Sequence, residues 1–184
     1  TGVTPATVTA TLSAAAGLTV TVNLARSGTA TNGTDYSASG TAITIAPLAV
    51  SGAITVQAIQ DTVFEPGNET VTIDIVSVTN GSEDGTQQLT ITIVDDDAAP
   101  TVTLSTNKPS ISENGSQNPA SISATLSTPT TQTVTVDLAV SGTATGAGVD
   151  YSLSGTLITI LPLSSAGSVS LNAAQDSTFE GNET

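Results

Sequence analysis

The chain has 184 residues and a formal net charge of -14, and it contains no histidine, cysteine, methionine or tryptophan. The absence of Cys and His excludes thiol chemistry, zinc sites of the ordinary type, and any catalytic triad or general base built on histidine. With only 2 cationic side chains it is a poor partner for nucleic acid, and its remaining carboxylate and hydroxyl oxygens suit Ca²⁺ or Mg²⁺.

The apolar residues favour a folded protein over the disorder that acidic chains often show. Hydrophobic residues make up 38% of the chain, its mean hydropathy is +0.20, and Val, Ile, Leu and Thr alternate along it. The longest apolar stretches, such as residues 45–50, are far shorter than the about 20 residues that a membrane span requires. We therefore predict a folded β protein with no direct membrane insertion.

Alternation with a period of two predicts the strands, and no window shows sustained helical spacing. In chain order, the predicted strands centre on residues 18–24, 43–45, 54–58, 71–75, 89–93, 102–104 and 122–126. The strand at 102–104 is expected to continue, through a break at Pro109, as far as Ile111. Asn-Gly and Ser-Gly pairs, as at Asn32 and Ser51, mark turns.

The sequence repeats itself with the period of a whole domain. The segment Ser27-Gly-Thr-Ala-Thr recurs 114 residues later, from Ser141. We predict one domain over residues 1–97, a linker over 98–100 and a second domain over 101–184. The fold predicted is all-β, with tandem seven-strand antiparallel immunoglobulin-like (Greek-key) β-sandwiches.

Two stretches have no counterpart in the other copy. Segment 101–113 matches nothing upstream, so the first domain is expected to lack its first strand. Segment 71–97 matches nothing downstream, so the second domain is expected to lack its last two strands. It would then expose an apolar face lined by Ile158, Ile160, Val169 and Leu171. The expected partners are neighbouring repeats of the same chain, or other copies in a filament joined by strand complementation.

Half of the acidic residues match in position between the two copies. The matched pairs are Asp35 with Asp150, Asp61 with Asp176, Glu65 with Glu180, and Glu69 with Glu183. Charges on a merely solvated face would scatter in a diverging repeat, although any single acid could be a turn former or a solvated charge. Loops of a Greek-key sandwich can converge at one end, where carboxylates repel one another without a cation. The pattern therefore indicates Ca²⁺, which accepts about 6 to 8 oxygens from flexible loops.

The ordered motifs resemble the Calx-beta domain family, which includes calcium-sensing domains of sodium–calcium exchangers and parts of long surface proteins. They are Gly28-Thr-Ala-Thr, Gly33-Thr-Asp-Tyr, Gly40-Thr-Ala-Ile-Thr-Ile, Asp61-Thr-Val-Phe-Glu, Asn68-Glu-Thr and Thr90-Ile-Thr-Ile-Val-Asp-Asp-Asp. The resemblance implies a seven-strand sandwich that binds Ca²⁺ at one end. The ligands it implies in the first copy are Asp35, Asp61, Glu65, Glu69, Asp95, Asp96 and Asp97. Those it implies in the second copy are Glu113, Asp150, Asp176, Glu180 and Glu183.

The leading hypothesis is a non-enzymatic, calcium-binding repeat module of a long cell-surface or secreted protein, such as an adhesin or filament. Calcium would stiffen the junctions between its domains. The binding partners of such a protein would be molecules of cell surfaces or of the matrix. The alternatives are a calcium-sensing domain pair that regulates a membrane transporter, and an inert acidic spacer. Paired carboxylates could hydrolyse glycosides, but that needs a cleft with aromatic or polar subsites, and the chain has only 2 Tyr and 2 Phe.

Overall fold

The computed structural model describes residues 4–115, 117–178 and 181–184, and every regular element within them is a β-strand. The all-β, immunoglobulin-like fold predicted from the alternation is confirmed. The described chain forms two compact units. The first takes in the residues up to Asp61 together with Gly67–Asp95, and the second takes in Thr62–Pro66 together with the residues from Asp96 onward. The described part includes no helix long and apolar enough to cross a membrane.

The first unit has seven strands in two antiparallel sheets, a three-stranded one in the order β1-β5-β3 and a four-stranded one in the order β4-β2-β6-β7. The strands are β1 (Ala6–Thr11), β2 (Val20–Ser27), β3 (Tyr36–Ala38), β4 (Ala42–Ile45), β5 (Ser51–Ala58), β6 (Glu69–Thr79) and β7 (Gln88–Ile93).

The second unit has six strands, and its sheet orders are β11-β13-β9-β8 and β10-β12. The strands are β8 (Val102–Thr106), β9 (Ala120–Leu126), β10 (Val134–Asp137), β11 (Tyr151–Leu153), β12 (Leu157–Ile160) and β13 (Ala166–Ala173). The strands β9 to β13 correspond in sequence and pairing to β1 to β5, so the internal repeat is also a structural one.

Period-two alternation places the core of the first unit between its sheets. In β4, Ile43 and Ile45 are buried while Thr44 between them is exposed. These two residues pack in one cluster with Val20 from β2 and Val71 from β6, all of them almost fully buried.

The expected exposed apolar face of the second unit is wrong for three of its four residues, and Leu171 is half-buried. Ile158, Ile160 and Val169 are 1%, 0% and 8% exposed, and they pack against Ala124 and Leu126. The reason is that the two isoleucines of β12 point across the sandwich, toward β9 and β13 of the other sheet.

Two predictions about strand positions are also wrong. β8 ends at Thr106, and Ile111 lies outside any strand, because the chain turns at Lys108, whose amide bonds to the hydroxyl of Thr106. The alternation pattern also missed β3 and β11, which are only 3 residues long and therefore too short to show a period.

Candidate metal centre

Asp35 closes the loop that joins β2 to β3. The Thr31 amide donates a hydrogen bond to Asp35 Oδ2 at 2.5 Å, and the Asp35 amide donates to the Thr31 carbonyl at 2.9 Å. Gly33, with φ +92, supplies the left-handed conformation that the tight turn requires. The Asp35 side chain is only 8% exposed as a result.

Asp150 closes the corresponding loop of the second unit in the same way. Its Oδ2 accepts a hydrogen bond from the Thr145 amide, and its own amide donates to the Thr145 carbonyl at 2.9 Å. The loop is one residue longer than in the first unit, yet the pattern of bonds is preserved. The matching of Asp35 with Asp150 therefore has a cause within the fold itself, separate from any ion.

Glu69 is the first residue of β6, and a close approach between β6 and the end of β2 sets its position. The Thr70 amide donates to the Thr29 hydroxyl at 2.9 Å, and the Ala30 amide donates to the Thr70 carbonyl at 3.1 Å. Gly28 makes this approach feasible, because a Cβ at that position would lie 2.1 Å from the Thr70 carbonyl oxygen. The loop that Asp35 closes and the start of β6 are thereby held together.

Two predicted ligands of the first unit come together at this point. Carboxylate oxygens of Asp35 and Glu69 lie within 4.8 Å of each other. Glu65 is half-buried and lies in the segment Thr62–Pro66, which belongs to the second unit. Two carboxylates at this spacing repel each other by roughly 3 kcal/mol at an effective dielectric constant of about 20. A cation would remove that repulsion.

The group fits a hard cation. Its donors are all carboxylate oxygens, and the Oε2 atom of Glu69 is buried. Calcium binds oxygen at about 2.3–2.6 Å, so oxygens on opposite sides of one ion are up to about 5 Å apart. The observed spacing lies inside that limit.

The other predicted ligands of the first copy lie outside this group. Asp61 is exposed and follows β5. Asp95, Asp96 and Asp97 follow β7, with Asp96 exposed and its two neighbours half-buried.

In the second copy, Asp150 is half-buried, whereas Glu113, Asp176 and Glu183 are exposed. Glu180 lies outside the described residues. Glu113 lies in a turn after the end of β8. Asp176 accepts the Thr178 amide at 2.7 Å, which is a local turn contact.

The sequence reasoning missed the threonines and the glycine that hold the site together. Thr31 and Thr145 provide the amides that Asp35 and Asp150 bind, and Gly28 permits the approach of β6. The signal was present in the repeated Ser-Gly-Thr-Ala-Thr segment, which ends at these two threonines.

Comparison with known proteins agrees with the motifs. The Calx-beta domain family model matches residues 2–97 and again residues 95–184. Among solved structures, the crystal structure of CBD12 from CALX1.2 aligns at a TM-score of 0.44 and 18% identity, covering 92% of this chain and 69% of that one. No curated protein matches. Because the two family matches together span almost the whole sequence, the chain belongs to the Calx-beta domain family, as two tandem copies.

Proposed function

We propose that the chain is a non-enzymatic repeat module that binds Ca²⁺ through Asp35 and Glu69. The observation that carries the proposal is the convergence of their carboxylate oxygens within 4.8 Å. Asp35 also uses Oδ2 to accept the Thr31 amide, which holds its carboxylate in place. The ion supplies charge neutralisation, and the residues supply its oxygen ligands.

The ligand set favours calcium over magnesium. Mg²⁺ binds oxygen at about 2.0–2.1 Å and requires nearly ideal octahedral geometry. Calcium tolerates a wider and less regular set of oxygens, which suits ligands drawn from a loop and a strand start. We therefore expect Mg²⁺ to compete weakly.

Calorimetric titration of the full chain tests the binding. Glu69→Gln preserves the shape of the side chain and removes one ligand charge, and it should weaken Ca²⁺ binding by roughly tenfold or more. Asp137→Asn is the matched control, because it removes one negative charge, as Glu69→Gln does, but at an exposed position on β10. Equal affinity in the two variants would refute this site, and no heat of binding in the parent chain would favour the inert spacer.

On a larger scale, we propose that the module belongs to a long extracellular or cell-surface protein, as part of an adhesin or filament. Tandem copies and a net charge of -14 support this role, because acidic repeats stay soluble while calcium orders their acidic loops. Calcium would then stiffen the junction that follows Asp95, Asp96 and Asp97.

Small-angle scattering of the full chain, with Ca²⁺ and with chelator, tests whether calcium stiffens this junction. The same maximum dimension in both conditions would refute stiffening, and a change of preferred angle without loss of flexibility would favour a sensor.

A further inference from the structure

Three Asn-Gly pairs lie in loops of the chain, beginning at Asn32, Asn80 and Asn114, and all three asparagines are exposed. Such a pair can change covalently without an enzyme, because the amide nitrogen of the following residue can attack the side-chain carbonyl carbon of Asn. Glycine favours the attack, since it has no side chain to obstruct the close approach. The hydrogen bonds around each pair therefore decide where the reaction is fastest.

The reaction exchanges one bond to nitrogen for another. The glycine nitrogen attacks Cγ of the asparagine, and the side-chain nitrogen takes up the proton of that amide and leaves as ammonia, so that a cyclic imide forms. Water then opens the imide at either of its carbonyl carbons and leaves aspartate or isoaspartate. Water is the co-reactant, and the sequence of steps involves no change of oxidation state.

At Asn32 the attacking nitrogen already makes a hydrogen bond. The Gly33 amide donates to the Tyr36 carbonyl at 2.8 Å, and Asn32 and Tyr36 form a β-bridge. Attack on Cγ would break this bond within the loop that Asp35 closes. We therefore expect Asn32 to react slowly.

At Asn80 the side-chain nitrogen acts as a donor. Its Nδ2 donates a hydrogen bond to the Thr19 carbonyl at 2.9 Å. Donation from this nitrogen increases the electron density of the amide group, which makes its carbonyl carbon a poorer electrophile. The same bond holds the nitrogen that has to leave, so Asn80 should also react slowly.

The side chain of Asn114 is polarised in the opposite sense. The Ser112 hydroxyl donates a hydrogen bond to Asn114 Oδ1 at 2.9 Å. A donor on this oxygen withdraws electron density from Cγ and stabilises the negative charge that the oxygen acquires during attack. The Gly115 amide donates to the Ser112 carbonyl at 3.2 Å, a longer bond than the one that Gly33 makes.

We propose that Asn114 is a site of spontaneous deamidation and that the Ser112 hydroxyl activates it. The product places a new carboxylate next to Glu113, in the connection between β8 and β9. This exposed turn thereby gains negative charge as the protein ages. The reaction proceeds whether or not the chain binds calcium.

Peptide mapping by mass spectrometry measures the three deamidation rates in one sample, after incubation of the folded chain in chelator at mildly alkaline pH. Asn114 should react about two- to tenfold faster than Asn32 or Asn80, which is the effect of about one hydrogen bond. In urea, where folded contacts are lost, the three rates should converge. The proposal would be overturned if Asn114 were not the fastest in the folded chain, or if it kept its lead in urea.

Substitution of Ser112 tests the activation. Ser112→Ala should slow Asn114 by about two- to tenfold and leave Asn32 and Asn80 unchanged, whereas Ser112→Thr, which keeps the hydroxyl, should retain the parent rate. Circular dichroism checks that both variants fold. An Asn114 rate that is unchanged or faster in Ser112→Ala would overturn the proposal. Equal slowing in Ser112→Thr would also overturn it, because the effect would then come from packing.

Discussion

Asp35 and Asp150 each hold their own loop together through hydrogen bonds with the backbone, apart from any role in binding an ion. Each carboxylate accepts a hydrogen bond from the amide of a threonine earlier in its own loop. In addition, the Asp35 carbonyl accepts from the Ile59 amide just after β5, and the Asp150 carbonyl accepts from the Ala174 amide just after β13. A hydrogen bond to a charged acceptor contributes more than one to a neutral acceptor. The loop is thus ordered in the absence of calcium.

Removing the carboxylate of Asp150 should open its loop without any involvement of a metal. We expect Asp150→Ala to destabilise the second unit by about 1–3 kcal/mol, because the Thr145 amide loses a charged acceptor. Asp150→Asn, which keeps an acceptor oxygen, should lose less. Hydrogen exchange of the Thr145 amide, measured in chelator, should be fastest in the Ala variant. An unchanged exchange rate there would contradict the closing role.

Gly28 is the residue at which a methyl group should do most damage to the site. Gly28→Ala places a Cβ 2.1 Å from the Thr70 carbonyl oxygen at φ +120, so the start of β6 has to move. We expect a loss of stability of at least about 1–3 kcal/mol and weaker calcium binding, because Glu69 moves with β6.

Two other glycines separate crowding from backbone conformation. Gly33 has φ +92 with open space around it, so Gly33→Ala should reveal the conformational cost alone. Gly17 has open space and no positive φ, so Gly17→Ala should be neutral or slightly stabilising. Urea denaturation in chelator ranks the three variants. A loss for Gly17→Ala as large as that for Gly28→Ala would contradict the crowding argument.

At the scale of elements, alternation along a strand separates a buried inner face from an exposed outer face. In β12, Ile158 and Ile160 are buried, whereas Leu157 and Thr159 are exposed. Gly167 of β13 lets this strand pass close by, because a Cβ there would lie 2.5 Å from the Thr159 carbonyl oxygen. The small second core depends on that close packing.

Truncation of β12 tests whether this core holds the second unit together. Ile160 is fully buried, so Ile160→Ala should cost about 2–5 kcal/mol through lost burial and a residual cavity. Leu161, the next residue, is 63% exposed, so Leu161→Ala should change stability by less than about 0.5 kcal/mol. Thermal unfolding of both variants gives the comparison. Equal losses would mean that Ile160 is not packed as described.

At the scale of the whole molecule, the net charge of -14 opposes the compact state. Sodium chloride screens this repulsion, since the Debye length falls from about 30 Å at 0.01 M to about 8 Å at 0.15 M. We expect the melting temperature in chelator to rise with salt and then level off. Salt and calcium therefore have to be varied separately.

Calcium should stabilise the full chain beyond what salt achieves. If Ca²⁺ binds only the folded state, it adds about 2.7 kcal/mol at a hundredfold excess over Kd. At constant ionic strength, the melting temperature should rise with Ca²⁺ in the parent chain and in Asp137→Asn, and much less in Glu69→Gln. A shift of equal size in all three would assign the effect to general charge screening.

The sequence by itself determined the class of fold, the internal repeat, the family and the oxygen-only ligand chemistry. These properties follow from local alternation, from self-comparison and from composition, none of which depends on distant contacts. Only the tertiary structure decided which acids meet. Asp35 and Glu69 are 34 residues apart in sequence and are joined because Gly28 lets the end of β2 approach the start of β6. The tertiary structure also decided that Ile158 and Ile160 are buried, since alternation shows that they share a face but not which sheet lies against it.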